Sequence, residues 1–339
     1  MSFVVADTDV SAYPTLDQIH RTAERLAGKV LETPVWRWRT GIVERALSPD
    51  TEVWLKLELF QRTGTFKLRG ALNGISALDA SALSRGVVAA SAGNHAVAVA
   101  YAAKAAGTHA KLFMPRHASP ARIAACQADG AEVLLTNTVH EAFALALRLV
   151  EEERCTLIHP FDGPRTAEGT ATVGLELMRQ VPNLDAVVVP VGGGGLCAGI
   201  AAAVKQINPS CLVFGIEPFG ADAMYRSFRA GETTKLQTID TAADSLGAPY
   251  TLPYSYGVCR HFVDDIVRVW DEEIFRGMHH LFRDMKLVAE PAVAAAIAAL
   301  LGPLRARLDG KKVALIMCGS NIDAQRFSEL VAKGAEAAS

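Results

Sequence analysis

The feature that most constrains this chain is an alternation of apolar runs and alanine-rich helical segments between residues 86 and 153. The apolar runs are continuous, which is typical of strands buried on both faces of a parallel sheet. Gly107 and Gly130 stand where two helical segments should end, and Pro120 stands in the first turn of the second. The predicted strands are 86–91, 110–115 and 131–136, and the predicted helices are 95–107, 119–130 and 139–153.

A second set of elements follows the same scheme. Strand-like runs occur at 53–57, 186–191 and 211–218, and a final run, KKVALIMCGSNID, ends in a glycine turn. Thr15 has capping-box spacing, which predicts a first helix there, and Asp271 is a predicted N-cap. A chain of 339 residues is too long for one small core. We therefore predict an α/β fold of two lobes, with parallel-rich sheets flanked by helices and a cleft between the lobes.

Composition and charge exclude several classes of protein. Half of the residues are hydrophobic and the net charge is −2, which is typical of a globular protein and argues against nucleic acid as a partner. The amino terminus lacks the basic stretch of a signal peptide, and the apolar runs are too short to span a membrane. Six cysteines are scattered without a CxxC pair, which favours a reducing compartment. We expect a cytoplasmic protein.

Two loops follow predicted strands and open predicted helices, the place where ligands collect in open α/β sheets. The first, SAGNH (91–95, the substrate loop), suits a carboxylate, although an ordinary helix cap has a similar composition. The second, GGGG (192–195, the glycine loop), lets backbone amides approach a phosphate closely. It matches neither a P-loop nor a GxGxxG pattern. We favour phosphate binding over a flexible turn, because ordering four glycines costs entropy.

The segment TGTFKLRG (63–70) places Lys67 between Phe66 and Leu68. Such a lysine is commonly a surface residue whose stem covers apolar neighbours. A desolvated lysine instead has a lowered pKa, and its free amine can form a Schiff base. Pyridoxal phosphate needs both a lysine of this kind and a phosphate anchor. Lys67 and the two loops together therefore predict this cofactor.

Taken in order, these motifs resemble the threonine/serine dehydratase (ammonia-lyase) group of fold-type-II pyridoxal-phosphate enzymes, which have a tryptophan synthase β-like fold. The resemblance covers nearly the whole chain. Residues 244–260, with the CGSN ending, also resemble the hydroxyectoine-utilisation branch. The matching segments are TFKLRGA (65–71), SAGNH (91–95), GGGGL (192–196), GIEP (215–218), AEP (289–291) and CGSN (318–321).

The resemblance implies a role for each matching residue. Lys67 would hold the cofactor and then act as base at Cα, with Ser91 as the second catalytic residue. It further implies a homodimer, with a large cofactor-binding domain (1–78 and 159–339) and a small, mobile substrate-loop domain (79–158). The implied cofactor-binding residues are Phe66, Lys67, Asn94, Gly192, Gly193, Gly194, Gly195, Leu196, Glu290 and Cys318, and the implied substrate-binding residues are Ser91, Ala92, Gly93, Asn94 and His95.

Three departures from the family pattern matter. Serine racemases carry a second serine where this chain has Ala92, so the resemblance implies elimination rather than racemisation. Cys318 replaces the usual serine opposite the pyridine nitrogen, and a thiol is a weak hydrogen-bonding partner. Metal-binding members hold Mg or Ca through a glutamate, a backbone carbonyl and a further acidic residue. Glu217 and Ala221 match the first two positions, but the third is Ala223 in this chain. A divalent cation is therefore an open alternative.

The leading expectation is a β-elimination that converts an L-3-hydroxy amino acid into a 2-oxo acid and ammonia. Threonine, serine, 3-hydroxyaspartate, phenylserine and an intermediate of hydroxyectoine breakdown all share the required α-amino and β-hydroxyl groups. A β-replacement synthase is the rival within the family. A non-catalytic amino-acid-binding protein on the same fold is the rival of another class, and a Schiff-base lysine argues against it.

Overall fold

The computed structural model describes residues 10–336. Its strands are β1 Val35–Trp38, β2 Glu52–Lys56, β3 Val87–Ala90, β4 Ala110–Pro115, β5 Glu132–Thr136, β6 Thr156–Leu157, β7 Ala186–Pro190, β8 Leu212–Pro218, β9 Asp265–Val269 and β10 Lys312–Ile316. Its helices are α1 Leu16–Leu26, α2 Ile42–Ala46, α3 Lys67–Ser76, α4 Ala80–Arg85, α5 Asn94–Ala106, α6 Pro120–Ala128, α7 Val139–Glu153, α8 Pro164–Gln180, α9 Gly195–Ile207, α10 Ala223–Ala230, α11 Pro253–Phe262, α12 Asp271–Met285, α13 Pro291–Leu301, α14 Arg305–Leu308 and α15 Ala324–Glu336.

A six-stranded sheet carries most of the core, in the order β1-β2-β10-β7-β8-β9. Every neighbouring pair is parallel except β1 and β2, which run antiparallel with Val35 opposite Lys56. The parallel-rich α/β class is confirmed. The sequence reading missed β1, because its four residues lie at the sheet edge and carry two tryptophans and an arginine. It also missed β9, because Asp265 and Arg268 interrupt its short apolar pattern.

A four-stranded parallel sheet, ordered β5-β4-β3-β6, is built from the alternating segment that opened the sequence analysis. The predicted helices and strands of this segment occur as expected, with ends that shift by at most a few residues. The division into domains 1–78 with 159–339 and 79–158, and the mobility of the smaller one, stay predictions.

Helix starts show how local signals succeed and fail. Thr15 caps α1 with a reciprocal capping box to Gln18, as predicted. The prediction that Asp271 caps the next acidic helix is wrong, because Trp270 is the N-cap and Asp271 is the first helical residue. The Asp271 carboxylate instead accepts hydrogen bonds from Thr241 Oγ1 at 2.7 Å and the Ala242 amide at 2.5 Å. It fixes a neighbouring loop rather than its own helix.

Helix α8 was not predicted, since its glycines and threonines give it weak helix propensity. Those glycines permit close packing on two other helices: a Cβ built on Gly169 would lie 2.6 Å from the Arg69 carbonyl oxygen, and one on Gly174 would lie 3.0 Å from the Ile200 carbonyl oxygen. Helix α8 therefore supports both α3 and α9, the helices that begin at Lys67 and at the glycine loop. Across residues 10–336, no helix combines the length and apolarity needed to cross a membrane.

Candidate active site

Lys67 is the first residue of α3 and lines a small cavity between the two sheets. Its Nζ donates a hydrogen bond to the Pro160 carbonyl at 2.5 Å and lies 5.1 Å from the centroid of the Phe66 ring. Burial lowers the pKa of Lys67 to about 8, and the nearby Cys318 and Glu290 oppose that shift. The surface-lysine reading is wrong. An amine in this position is available in its neutral, nucleophilic form.

A buried network of charged side chains holds the start of helix α3. The Arg69 guanidinium is fully buried and pairs with Glu58 at 2.7 and 2.8 Å. Its Nη1 reaches Glu176 at 2.6 Å, and Lys56 reaches the same carboxylate at 2.7 Å. Because Arg69 stands two residues after Lys67, this network holds the start of α3, and with it the lysine backbone, in one place.

The glycine loop joins β7 to α9, and its Gly194 adopts a left-handed φ of 94°. A Cβ on Gly193 would lie 2.2 Å from the Phe161 ring, and one on Gly195 would lie 2.3 Å from the Phe161 carbonyl oxygen. Helix α9 starts without a side-chain cap, and Leu196 in its first turn is buried. Uncapped amides at a cradle that excludes side chains fit the phosphate of pyridoxal phosphate.

The substrate loop leads from β3 into α5, which starts at Asn94 with no side chain capping it. The Ser91 hydroxyl accepts a hydrogen bond from the Gly93 amide at 3.1 Å, which curves the loop. The first amides of α5 have no partner within the helix and suit a carboxylate. Ala92 brings no proton-transfer group to the loop.

Asn94 joins the substrate loop to Glu290 at the start of α13. Its Nδ2 donates to both Glu290 oxygens, at 2.8 and 3.0 Å, and its Oδ1 accepts from Asn321 Nδ2 at 2.8 Å. Glu290 also accepts from Ser245 Oγ and from the Asn321 amide. The Asn94 side chain is thus engaged by Glu290 and Asn321, next to His95, which lines the cavity. Burial raises the pKa of the Glu290 carboxyl.

Cys318 follows β10 and lies in the interior, where burial raises the pKa of its thiol far above the ordinary value. Its carbonyl accepts a hydrogen bond from the Phe66 amide at 3.2 Å. Thr65, just before Phe66, has a buried hydroxyl with no hydrogen-bond partner among the described residues. An orphaned hydroxyl in the lysine segment, opposite Gly319, fits a site shaped for a polar cofactor ring.

Two neutral histidines complete the cavity beside Lys67. His95 Nε2 donates to the Ile158 carbonyl at 2.8 Å, and burial, followed by the Lys67 charge, lowers the pKa of His95 to about 3. His159 Nδ1 accepts from the amides of Phe161 and Asp162, at 3.3 and 2.8 Å. Burial lowers the pKa of His159 to about 4. His159 is therefore neutral, with its proton on Nε2.

Sequence reasoning missed His159, although the signal was present. The segment TLIHPFDG follows a strand, as the substrate and glycine loops do, and β6 ends two residues before the histidine. Its second notable member, Phe161, packs against the glycine loop. Applying the rule about strand ends to this segment would have found both residues.

Glu217 and Ala221, the predicted cation ligands, do not line the Lys67 cavity. The Glu217 carboxylate is fully buried and accepts from the amides of Met224 and Tyr225, at 2.9 and 2.7 Å. Burial raises the pKa of Glu217 to about 8. Both oxygens thus already serve as caps for α10.

The remaining carboxylate of this region is engaged by arginines. Asp222 pairs with Arg226 at 2.7 Å and with Arg268 at 2.9 Å, and Ala223 contributes no acidic group. Within residues 10–336, no cluster of three His, Cys, Asp or Glu side chains is placed to bind a metal. The residues present do not fit a divalent cation, which needs several oxygen ligands.

Comparisons with known proteins agree with this geometry. The sequence model of the family described as "Pyridoxal-phosphate dependent enzyme" matches residues 28–319. The chain is 47% identical to a phenylserine dehydratase of Ralstonia pickettii, covering 96% of this chain and 99% of the relative. It is 36% identical to an L-threo-3-hydroxyaspartate ammonia-lyase of Saccharomyces cerevisiae, covering 94% and 96%.

A solved structure is similar over the same range. The processed form of threonine deaminase isoform 2 from Solanum lycopersicum superposes with a TM-score of 0.88 at 31% identity, covering 99% of this chain and 92% of the other. The lysine, the glycine loop, the uncapped substrate loop and these similarities lead to one family. The chain belongs to the pyridoxal-phosphate-dependent enzymes of fold type II, in their threonine/serine dehydratase group.

Proposed function

We propose that this protein dehydrates and deaminates an L-3-hydroxy amino acid that carries an aryl group on Cβ, such as 3-phenylserine. Elimination of the β-hydroxyl as water, followed by hydrolysis, releases a 2-oxo acid and ammonium, phenylpyruvate in the case of phenylserine. Its named relatives are dehydratases or ammonia-lyases that act on hydroxy amino acids, which supports pyridoxal-phosphate-dependent elimination here.

The residues of the chain divide the chemistry among them. Bound pyridoxal phosphate supplies the electron sink that makes the α-proton removable. Lys67, whose pKa is about 8, takes that proton from Cα as a general base. The uncapped start of α5 and Ser91 hold the substrate carboxylate, and the uncapped start of α9 holds the cofactor phosphate. Ala92 leaves the opposite face of Cα without a second base, which supports elimination over racemisation.

The observation that carries the aryl assignment is the 47% identity to a phenylserine dehydratase over nearly the whole of both chains. A cluster of rings supports it, because His159 lines the Lys67 cavity and three further rings lie behind it. His159 meets Phe161 edge to face with centroids 4.7 Å apart, Phe143 lies 5.9 Å from His159, and Tyr250 lies 6.1 Å from Phe161. A phenyl group beside His159 would gain apolar burial and a ring contact, and the rings behind His159 hold its imidazole in place. A methyl or hydrogen at Cβ would make less of this contact.

The lining of the Lys67 cavity disfavours a second carboxylate on the substrate. Of the described residues that line the Lys67 cavity, Lys67 itself is the one Lys or Arg. His95 and His159 are neutral, so neither supplies a charge for the side chain of 3-hydroxyaspartate. An uncompensated carboxylate in a partly desolvated cavity costs free energy. This supports phenylserine over 3-hydroxyaspartate.

The deciding experiment compares kcat/KM for ammonia release from both diastereomers of 3-phenylserine, L-threonine, L-serine and L-threo-3-hydroxyaspartate. We expect one phenylserine diastereomer to exceed the others by about tenfold or more, since a factor of ten corresponds to roughly 1.4 kcal/mol. Equal or better turnover of threonine or 3-hydroxyaspartate would overturn the aryl assignment while leaving the dehydratase reaction intact.

The rival functions have tests of their own. A β-replacement synthase would form a new sulfur product from phenylserine or serine when sulfide is added, whereas a dehydratase continues to release the 2-oxo acid. A non-catalytic binding protein would release no ammonia from any of the five amino acids. The lowered pKa of the Lys67 amine favours the catalytic interpretation.

The finer expectations drawn from the resemblance are also proposals. We propose a homodimer located in the cytoplasm, on the resemblance to the dehydratase group. Sedimentation equilibrium tests the dimer, and fractionation of the source cells tests the location. The likeness to the hydroxyectoine branch rests on residues 244–260 and the CGSN turn, and release of ammonia from hydroxyectoine-derived 3-hydroxy amino acids tests it.

A further inference from the structure

We propose that Arg122 is a positioning residue for the substrate loop. It ties α6, which packs on the four-stranded sheet, to two loops of the six-stranded sheet. In this way it holds the start of α5 over Lys67. The inference rests on the proposed function only in placing the substrate carboxylate at this loop.

The contacts of Arg122 join three segments. Its Nη2 donates to the Asn321 carbonyl at 2.7 Å, and its Nη1 donates to Asp244 Oδ2 at 3.2 Å. The two partners lie in the turn after β10 and in the 3-10 helix Asp244–Leu246. The guanidinium also lies against Gly93: a Cβ built there would be 3.2 Å from Nη1. Arg122 therefore lies beside the substrate loop and connects α6 with two segments distant in sequence.

Asn321 connects Arg122 with the residues of the site. Its Nδ2 donates to Asn94 Oδ1 at 2.8 Å and to the Thr63 carbonyl at 2.9 Å, and its amide donates to Glu290 at 2.9 Å. One residue thus links the first residue of α5 with the segment that precedes Lys67. Arg122 binds the carbonyl of this same residue, so it restrains the substrate loop from two sides, through Gly93 and through Asn321.

The two halves of the tie differ in strength. The Arg122 side chain is 16% exposed, whereas the Asp244 side chain is 62% exposed. Exposed ion pairs contribute little, because solvent and salt screen them. The shorter, more buried bond to the Asn321 carbonyl is charge-assisted and contributes more. Loss of the guanidinium should therefore matter more than loss of Asp244.

The test measures how the holoenzyme binds L-phenylalanine, which has the amine, carboxylate and ring of phenylserine but no β-hydroxyl to lose. The Kd comes from the change in cofactor absorbance, with glycine as a second, smaller probe. We expect Arg122→Met to raise the Kd for phenylalanine by about tenfold, consistent with one charge-assisted hydrogen bond. Arg122→Lys should raise it less, and Asp244→Asn should change it by no more than about twofold.

The matched control is Arg116→Met, an exposed arginine just after β4. It should leave the Kd unchanged. The cofactor content of the Arg122 variants should equal that of the wild type, and their melting temperatures should fall by no more than about 4 °C, because one partly buried hydrogen bond contributes about 1 kcal/mol. The proposal is overturned if Arg122→Met binds phenylalanine as the wild type does, if its cofactor content falls together with affinity, or if neither amino acid binds the wild type saturably. Failure of phenylserine turnover alone would overturn the substrate and leave this test valid.

Discussion

His159 and Phe161 meet edge to face, with ring planes at 83° and centroids 4.7 Å apart. Phe161 also fills the space that a side chain on Gly193 would need, and its carbonyl occupies the corresponding space at Gly195. Phe161 therefore connects the glycine loop with His159, which lines the Lys67 cavity. A shift of Phe161 would displace both.

Phe143 lies behind His159, with ring planes at 44°, and it can be changed without touching the glycine loop. Phe143→Leu should lower kcat/KM for phenylserine between about twofold and tenfold, because an aromatic pair that holds His159 in place contributes about 0.5–1.5 kcal/mol beyond area burial. Turnover of threonine, which lacks a ring, should stay unchanged. Steady-state kinetics on both substrates measures the ratio.

The control for this change is Phe282→Leu, since Phe282 also forms an aromatic pair but its partner Phe327, unlike His159, does not line the Lys67 cavity. It should leave both substrates unaffected. A parallel loss for phenylserine and threonine in Phe143→Leu would show that the ring supports the site in general and does not select the aryl group.

The glycine loop predicts a second outcome. Gly195→Ala should abolish tight binding of pyridoxal phosphate, because the added Cβ would lie 2.3 Å from a backbone oxygen that cannot move away. Gly74→Ala is the matched control, since its Cβ would meet only the Ile158 side chain at 3.7 Å. Dialysis followed by measurement of bound cofactor separates the two variants. Retention of cofactor by Gly195→Ala would mean that the phosphate lies elsewhere.

The main segments of the candidate site could be predicted because each is a contiguous motif in the sequence. Lys67, the glycine loop and the substrate loop each combine a strand end with residues that suit an anion or a free amine, and the structure brings all three to one cavity. The buried parallel strands were equally clear, since continuous apolar runs admit few other interpretations.

What could not be predicted depends on contacts between segments distant in sequence. Arg69 reads as an ordinary helical arginine until Glu58 and Glu176 are found beside it. Asp271 looks like a cap until Thr241 takes its carboxylate. Helix α8 could not be predicted because its glycines lower the helix propensity of the segment, although they allow close packing on α3 and α9.

The lowered pKa of Lys67 predicts how the apoprotein combines with its cofactor. Only the neutral amine attacks the aldehyde, so the association rate should rise about tenfold per pH unit below pH 8 and level off above it. An ordinary lysine would continue to gain rate up to about pH 10. Stopped-flow absorbance from pH 6 to 9.5 distinguishes the two profiles. Lys67→Ala should show no yellow absorbance at any pH.

The Arg69 network predicts a large loss of stability. Arg69→Met should lower the free energy of unfolding of the apoprotein by about 3–5 kcal/mol, because Glu58 would keep a buried charge without its partner. Arg148→Met removes an exposed pair with Glu152 and should cause no measurable shift. Urea unfolding of both variants measures the difference. A small loss for Arg69→Met would mean that Glu58 takes up a proton at low cost or that water reaches it.

The last prediction concerns the cation that the residues do not fit. The Arg268 Cζ lies 3.8 Å from the centroid of the Tyr225 ring and 4.4 Å from that of the Phe219 ring. Its Nη1 lies 2.9 Å from Asp222 Oδ2. Because a fixed guanidinium already supplies positive charge there, EDTA or millimolar Mg²⁺ should leave the melting temperature of the wild type unchanged. The double variant Ala223→Asp with Arg268→Thr adds a carboxylate and removes the guanidinium, so its melting temperature should rise when Mg²⁺ or Ca²⁺ is added. A cation-dependent melting temperature in the wild type would contradict this account.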